Sequence, residues 1–313
     1  MRNFAHDYFG YTPPSAGDVR ASLSGYLELV RPPNITTALA DVLAGYAIAG
    51  LGQPQRLAWL LVATATLYAG GIVFNDYFDR TLDAVERPER PIPSGRVPAQ
   101  RAAAFGAGLL VSGILAAAMV TPAAAAVAVS IAVLALTYDA AAKHHPVLGP
   151  ITMGACRGLN LLLGIAAVPL ALSFNWPLAL LPFLYIWAVT TVSRGEVHGG
   201  ARTAAAASFV ALLLVLAGLV YLTVGAVFLG ATSNAIAAAC LVFALAWRVL
   251  PAYWRAWHST APGDARAAVR TGVLSLVLLD AVLSAVYAGS VYALAVLAAA
   301  FVAGWLARQF AVT

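Results

Sequence analysis

Long apolar runs alternate with short polar connections along the whole chain. Ten runs are long enough to cross a bilayer, at about 27–51, 57–75, 100–120, 122–140, 148–171, 177–193, 203–225, 231–250, 271–288 and 290–308. Each is close to the roughly 20 residues that span the hydrocarbon as a helix. Merging the last two would leave nine, but 271–309 is too long for one helix. The pattern predicts an all-α integral membrane protein with nine to ten transmembrane helices. Residues 1–22 read as a cytoplasmic lead-in without the apolar stretch of a signal peptide, and 23–313 as a single transmembrane domain.

The connections differ in charge. Those after the second, fourth, sixth and eighth runs are polar and basic. Those after the third, fifth, seventh and ninth carry no Lys or Arg, and the first carries only Arg56. Sixteen of the 18 basic residues therefore fall on one side, leaving Arg56 opposite and Arg157 inside a run. Basic loops stay cytoplasmic, so both termini and the even-numbered loops are expected in the cytoplasm.

Composition agrees: 62% of residues are hydrophobic and 10% charged, against roughly 25% charged in a soluble domain. The net charge of +5 then bears on topology first. No interleaving of basic and aromatic residues points to nucleic acid. Cys156 and Cys240 both lie in apolar runs, which excludes a disulfide framework and any cysteine metal spacing.

Against this background residues 75–95, NDYFDRTLDAVERPERPIPSG, stand out. On a helix Asn75, Asp76, Asp79 and Asp83 fall within an arc of about 100°. Carboxylates so placed repel one another unless a cation sits among them. Oxygen ligands without His or Cys suit Mg²⁺, which is usually held by one or two carboxylates plus substrate phosphates. Arg87 and Arg90 follow within reach of the same phosphates. The stretch reads as a metal–diphosphate site.

Asn75-Asp76-Tyr77-Phe78-Asp79 with Asp83, then Arg87-Pro88-Glu89-Arg90-Pro91-Ile92-Pro93-Ser94-Gly95, resembles the first aspartate-rich motif of the UbiA superfamily of membrane prenyltransferases. Its place after the second run matches, and the spacing of polar loops extends the resemblance over most of 24–290. The resemblance implies helices around a central membrane-embedded cavity. It also implies an isoprenyl diphosphate held through Mg²⁺, one or two ions, and transfer of the prenyl chain to a small hydrophobic or aromatic acceptor.

Tyr138 and Lys143 end the fourth run as a similar tyrosine–lysine pair does in that family, one residue further apart and with His144 where Arg is usual. The resemblance places Lys143 near the diphosphate; a lysine reaching for the interface is the simpler alternative. Arg31-Pro32-Pro33-Asn34 also resembles the family's start of the first span. Asp41 and Asp280 lie inside apolar runs, where a charge implies a cavity or a partner. Arg157 and Asn160 are matching groups in the fifth run; they read equally as substrate contacts or as a pairing that holds helices together. Gly154 and Gly158 have the spacing of close helix packing.

The third polar loop departs from the family. A second aspartate-rich motif is usual there, but this chain has Ser193-Arg194-Gly195-Glu196-Val197-His198-Gly199-Gly200-Ala201-Arg202. One carboxylate remains, Glu196, as a candidate ligand for a second Mg²⁺. His198 is a poor Mg²⁺ ligand but a candidate base or diphosphate contact. Degeneration of the second metal site is the alternative.

The expected chemistry is ionisation of a prenyl diphosphate on Mg²⁺ held by Asp76, Asp79 and Asp83, with Asn75 in support. Arg87, Arg90, Lys143 and Arg194 or Arg202 would neutralise the leaving group. Tyr68, Phe74 and Tyr138 are candidates to face the allylic cation. His198, Asp139 or water would take the proton. Two other readings stay open: a terpene cyclase using the same diphosphate site without an acceptor, and a transporter built on Asp41, Arg157 and Asp280.

Overall fold

The computed structural model describes residues 23–196, 201–259 and 261–298, apart from the side chains of Leu23, Pro33 and Asn34. Among these residues there is no strand. The helices are α1 (Leu23–Val30), α2 (Pro32–Ile48), α3 (Pro54–Glu86), α4 (Ala99–Ala118), α5 (Pro122–Ala140), α6 (Leu148–Ile165), α7 (Pro169–Asn175), α8 (Leu180–Ser193), α9 (Arg202–Phe228), α10 (Thr232–Ser259) and α11 (Pro262–Ala288), followed by α12 over 290–298. Proline opens α2, α3, α5, α7 and α11, at the positions where its missing N–H costs nothing.

Eight of the described helical stretches are long and apolar enough to span a membrane, with α7 and α8 forming one of them. The expected first span, 27–51, is interrupted. Arg31 sits in the left-handed region at φ 43°, because a residue preceding proline is pushed out of the right-handed helix. Arg31 therefore separates the short α1 from α2. Of the expected tenth span, 290–308, the structure describes 290–298, which form α12.

Six helices form a closed ring. α2 packs on α3, α6 and α11; α3 packs on α5, α5 on α6, α6 on α8 and α8 on α11. α4 covers α3 and α5 from outside, while α9 and α10 cover α8 and α11. One apolar core fills the α3–α4–α5 half, with Leu60, Leu67 and Leu110 buried. A second fills the α8–α11 half around Tyr185, Leu212, Leu245 and Leu279.

The halves are joined where backbones nearly touch. A Cβ on Gly45 of α2 would lie 2.2 Å from the Leu161 carbonyl oxygen, and one on Gly164 of α6 would lie 2.4 Å from that of Val42. Gly154 and Gly158 play the packing role expected of them, against α8: a Cβ there would meet the Phe183 and Ala179 carbonyls at 2.7 and 2.8 Å. Small residues give such close approach in lipid, where there is no solvent to drive helices together.

α3 determines where the chemistry sits. Its 33 residues extend about 50 Å at 1.5 Å per residue, well beyond a hydrocarbon core about 30 Å thick. The aspartates occupy the projecting C-terminal end.

Candidate active site

The ring encloses a cavity of about 430 Å³. All six helices contribute to its wall: Thr37 from α2, Thr64, Tyr68 and Asn75 from α3, Tyr138 and Asp139 from α5, Arg157 and Asn160 from α6, Thr190 from α8, and Leu276 from α11. The rest of the lining is mostly apolar, including Leu67, Ile72, Ile131 and Ile186.

At one end of the cavity Asn75 Nδ2 donates to Asp139 Oδ1 at 2.9 Å, tying α3 to α5. One residue on, the charged patch begins. Arg31 pairs with Asp76, Lys143 pairs with Asp79, and Arg90 Nη1 pairs with Asp83 Oδ2 at 2.6 Å. Arg90 also lies 3.4 Å from Asp76 Oδ1. Asp76 and Asp83 are buried. Each carboxylate thus has a basic partner from a different part of the chain: the α1–α2 break, the short turn after α5, and the loop after α3.

The loop explains the R-P-x-R-P spacing. Arg87 caps α3, its N–H donating to the Asp83 carbonyl at 2.8 Å. Proline at 88 and 91 prevents the helix from continuing, and the chain turns back through Ser94 N–H on Arg90 O at 3.0 Å. Gly95 supplies the left-handed residue at φ 76°. Ile92 and Val97 then plug against Leu29, Val73 and Ala102. Arg96 fastens the loop to α1 through Glu28 at 2.6 Å and to the Glu89 carbonyl at 2.7 Å. That brace was not evident from sequence, because Glu28 is 68 residues away and in no motif.

The other end of the cavity is polar for a different reason. Arg157 Nε lies 2.7 Å from Asp41 Oδ2. Asn160 Nδ2 donates to Asp41 Oδ2 at 2.9 Å and to the Ala38 carbonyl at 2.7 Å, while its Oδ1 accepts from Thr64 at 2.6 Å. Asp280 of α11 is fully buried, and its carboxyl oxygens have no hydrogen-bond partner among the described residues. The bonds through Asp41, Arg157, Asn160 and Thr64 clamp α2, α3 and α6 around the cavity.

A profile of the UbiA prenyltransferase family matches residues 38–271. The chain belongs to that family. Its class, prenyltransferase, is the one expected from the aspartate–arginine loop, and the transporter reading falls with it. Two relatives are named digeranylgeranylglyceryl phosphate synthase. That of Methanoculleus marisnigri is 35% identical over 194 residues, 58% of this chain and 67% of the relative. That of Methanothrix thermoacetophila is 37% identical over 146 residues, 46% of this chain and 55% of the relative. The chain thus spans about half to two thirds of the length of the curated relatives it matches.

Solved structures carry the same fold. One described as a digeranylgeranylglyceryl phosphate synthase in membranes superposes with a TM-score of 0.66 at 22% identity, covering 86% of this chain and 98% of the other. A UbiA homologue from Archaeoglobus fulgidus bound to DMAPP and Mg²⁺ gives 0.55 at 14% identity, covering 78% and 99%. An all-helical UbiA fold in a multi-pass membrane protein is therefore established.

In this UbiA protein the remaining site candidates are unevenly placed. Tyr68 and Tyr138 line the cavity, but Phe74 does not face it as expected. Phe74 packs outward on Gly106 of α4, 3.1 Å from a Cβ built there, and against Tyr77 and Phe78. The α3 face that carries the aspartates is not the face of residue 74. Arg87 is exposed at the helix end. Arg194 points its guanidinium toward the carbonyls of Lys143, His144 and His145 at 3.3–3.5 Å, bringing the third loop to the Lys143 turn. Arg202 is exposed at the first position of α9.

Glu196 is half-buried, and its backbone carbonyl accepts from Arg266 Nε at 3.2 Å. Burial pushes its carboxyl above the usual glutamate range, and the nearby Arg266 guanidinium opposes the shift. His198 and the Asn34 side chain lie outside the described residues. Among the described residues no three His, Cys, Asp or Glu side chains converge on a common metal position. The three aspartates are instead each turned to a basic side chain.

Proposed function

We propose that this chain transfers an isoprenyl group from a prenyl diphosphate to an acceptor held in the ring cavity, with Mg²⁺ bound by Asp76, Asp79 and Asp83. The observation that carries this reading is the triple pairing Arg31–Asp76, Lys143–Asp79 and Arg90–Asp83 beside the cavity. Three carboxylates and three cations balance in charge. A metal ion and a diphosphate can replace the internal pairs with little net change: the oxygens suit a hard cation, and the freed guanidinium and ammonium groups suit phosphate. The donor set therefore fits Mg²⁺.

Bound there, Mg²⁺ supplies positive charge to the departing diphosphate. Arg31, Arg90 and Lys143 turn from carboxylate to phosphate oxygens and hold the leaving group in place, the kind of preorganised charge stabilisation that dominates such steps. Arg87, Arg194 and Arg202 add positive potential around the mouth. Tyr68 and Tyr138, which line the cavity from α3 and α5, stabilise the allylic cation through their aromatic rings. Asn75 occupies Asp139 Oδ1, which leaves Oδ2 at the cavity wall to take the acceptor's proton. Glu196 provides one carboxylate for a second ion, with His198 two residues on in sequence as a base or phosphate contact. The prenyl tail occupies the apolar middle of the cavity. Arg157 and Asn160 border the acceptor end of the cavity on the α2–α6 side, where their bonds to Asp41 hold the wall in shape.

The named relatives make a glyceryl phosphate carrying a prenyl ether the first acceptor class to test, ahead of aromatic acceptors. The active-site loops and both termini are cytoplasmic in this reading, and 23–313 forms one domain.

The test is reconstituted protein with radiolabelled prenyl diphosphates and Mg²⁺, with and without each acceptor class. Transfer that needs both metal and acceptor is expected. A cyclic hydrocarbon formed without acceptor would make the protein a terpene cyclase, and failure to consume any prenyl diphosphate would overturn the reading.

A further inference from the structure

We propose that a groove on the outer surface between α10 and α11 binds the phosphate headgroup of an anionic phospholipid. It lies away from the ring cavity: α11 faces the cavity with Val273 and Leu276, and the outer groove with Arg270, Thr271 and Leu274.

Arg248, Arg266 and Arg270 surround a cavity of about 520 Å³. All three are exposed, and none forms an ion pair among the described residues. Arg248 Nε donates to Ser275 Oγ at 3.1 Å and Arg266 Nε to the Glu196 carbonyl at 3.2 Å. These bonds use the inner nitrogen of both guanidinium groups, and among the described residues the terminal nitrogens, the part that grips phosphate in two-point fashion, have no partner. Arg270 has no hydrogen-bond or ion-pair partner among the described residues. Three guanidinium groups line one space whose own wall holds no carboxylate, the half-buried Glu196 beside Arg266 being the nearest, and they call for a multiply accepting anion.

Next to Arg248 on the same helix, Phe243, Ala244 and Trp247 form an open apolar patch. Phe243 and Trp247 are 68% and 73% exposed on a helix that spans the membrane, so this patch faces acyl chains. A basic groove and an apolar patch joined at one arginine match an amphiphile with a phosphate head and a hydrocarbon tail, not a soluble anion. The depth agrees. Ser275, which holds Arg248, is nine residues along α11 from Arg266, about 13 Å of helix rise. An arginine so far into a lipid-facing surface needs a counter-charge or a route back to the interface, and a bound headgroup supplies the first. Basic pockets between helices on the cytoplasmic side are where such headgroups bind.

The test uses the full chain in detergent, with lipid retention read by native mass spectrometry after addition of phosphatidylglycerol, phosphatidylcholine, inorganic phosphate or a prenyl diphosphate. The parent should keep phosphatidylglycerol in preference to phosphatidylcholine. The variant R248Q/R270Q should lose about tenfold or more of it, given the contribution of each arginine near a headgroup. Trp247→Ala should weaken phosphatidylglycerol alone. Should the double variant fail to fold, Arg270→Gln, at an exposed side chain without partners among the described residues, gives the same comparison. Equal retention of both lipids, or retention unchanged in the arginine variants, would overturn the proposal. So would displacement by inorganic phosphate, which would mean a soluble-anion site, or stronger retention of the prenyl diphosphate, which would mean a substrate-docking groove.

Discussion

Arg90 reaches back seven residues to hold Asp83 at 2.6 Å and stands 3.4 Å from Asp76. Two prolines, a left-handed glycine and the Ile92–Val97 plug fold the loop so that one guanidinium serves two carboxylates about two turns apart on α3. Arg90→Gln should keep the fold, because the plug is apolar, yet weaken prenyl diphosphate binding and slow turnover by about 10²-fold, the usual effect of losing one group that stabilises developing charge. A normal KM and kcat in this variant would remove Arg90 from the site.

Asp76→Ala and Asp79→Ala should each abolish product formation while the protein stays folded in the membrane. Each also frees a cation, Arg31 or Lys143, so the variants should bind free diphosphate without Mg²⁺ better than the parent does. Calorimetric titration with diphosphate, with and without Mg²⁺, reads both effects. Full turnover in either variant would mean that the metal lies elsewhere.

Arg157→Met should destabilise strongly, since removing one partner of a buried pair typically costs about 3–5 kcal/mol. Asp41→Asn combined with Arg157→Met should recover much of that loss. Thermal unfolding in detergent distinguishes this structural role from an acceptor contact: a purely catalytic Arg157 would leave the midpoint of the single variant unmoved.

The third loop decides the metal count. If Glu196 holds a second ion, Glu196→Gln shifts the Mg²⁺ dependence of diphosphate release to higher concentration, and His198→Asp shifts it lower while reducing acceptor-dependent turnover. Superimposable curves for the parent and both variants would show that no second site exists in this form.

Topology can be checked by single-cysteine labelling on a background lacking Cys156 and Cys240. Positions in the loops holding Asp76, Lys143, Glu196 and Arg255 should all react from the cytoplasmic side. Labelling of any two from opposite sides would break the orientation inferred from the basic residues.

Much was legible without coordinates because the determinants are local. A span is a run of apolar residues, and loop charge sets orientation without reference to packing. The arc of Asn75, Asp76, Asp79 and Asp83 follows from helical spacing alone, and α3 carries all four as expected. What stayed hidden depends on which helices become neighbours. The partner of each aspartate, the Asn75–Asp139 tie, the Glu28–Arg96 brace and the outward turn of Phe74 join or separate residues up to 68 positions apart. A helix-holding pair at Arg157 is one of two equal readings of the sequence; the structure makes Asp41 the partner at 2.7 Å, because Gly45 and Gly164 let α2 and α6 touch. Sequence periodicity records which face of a helix is polar, but not what that face meets. Only the closed ring of six helices decided that the polar faces share one cavity.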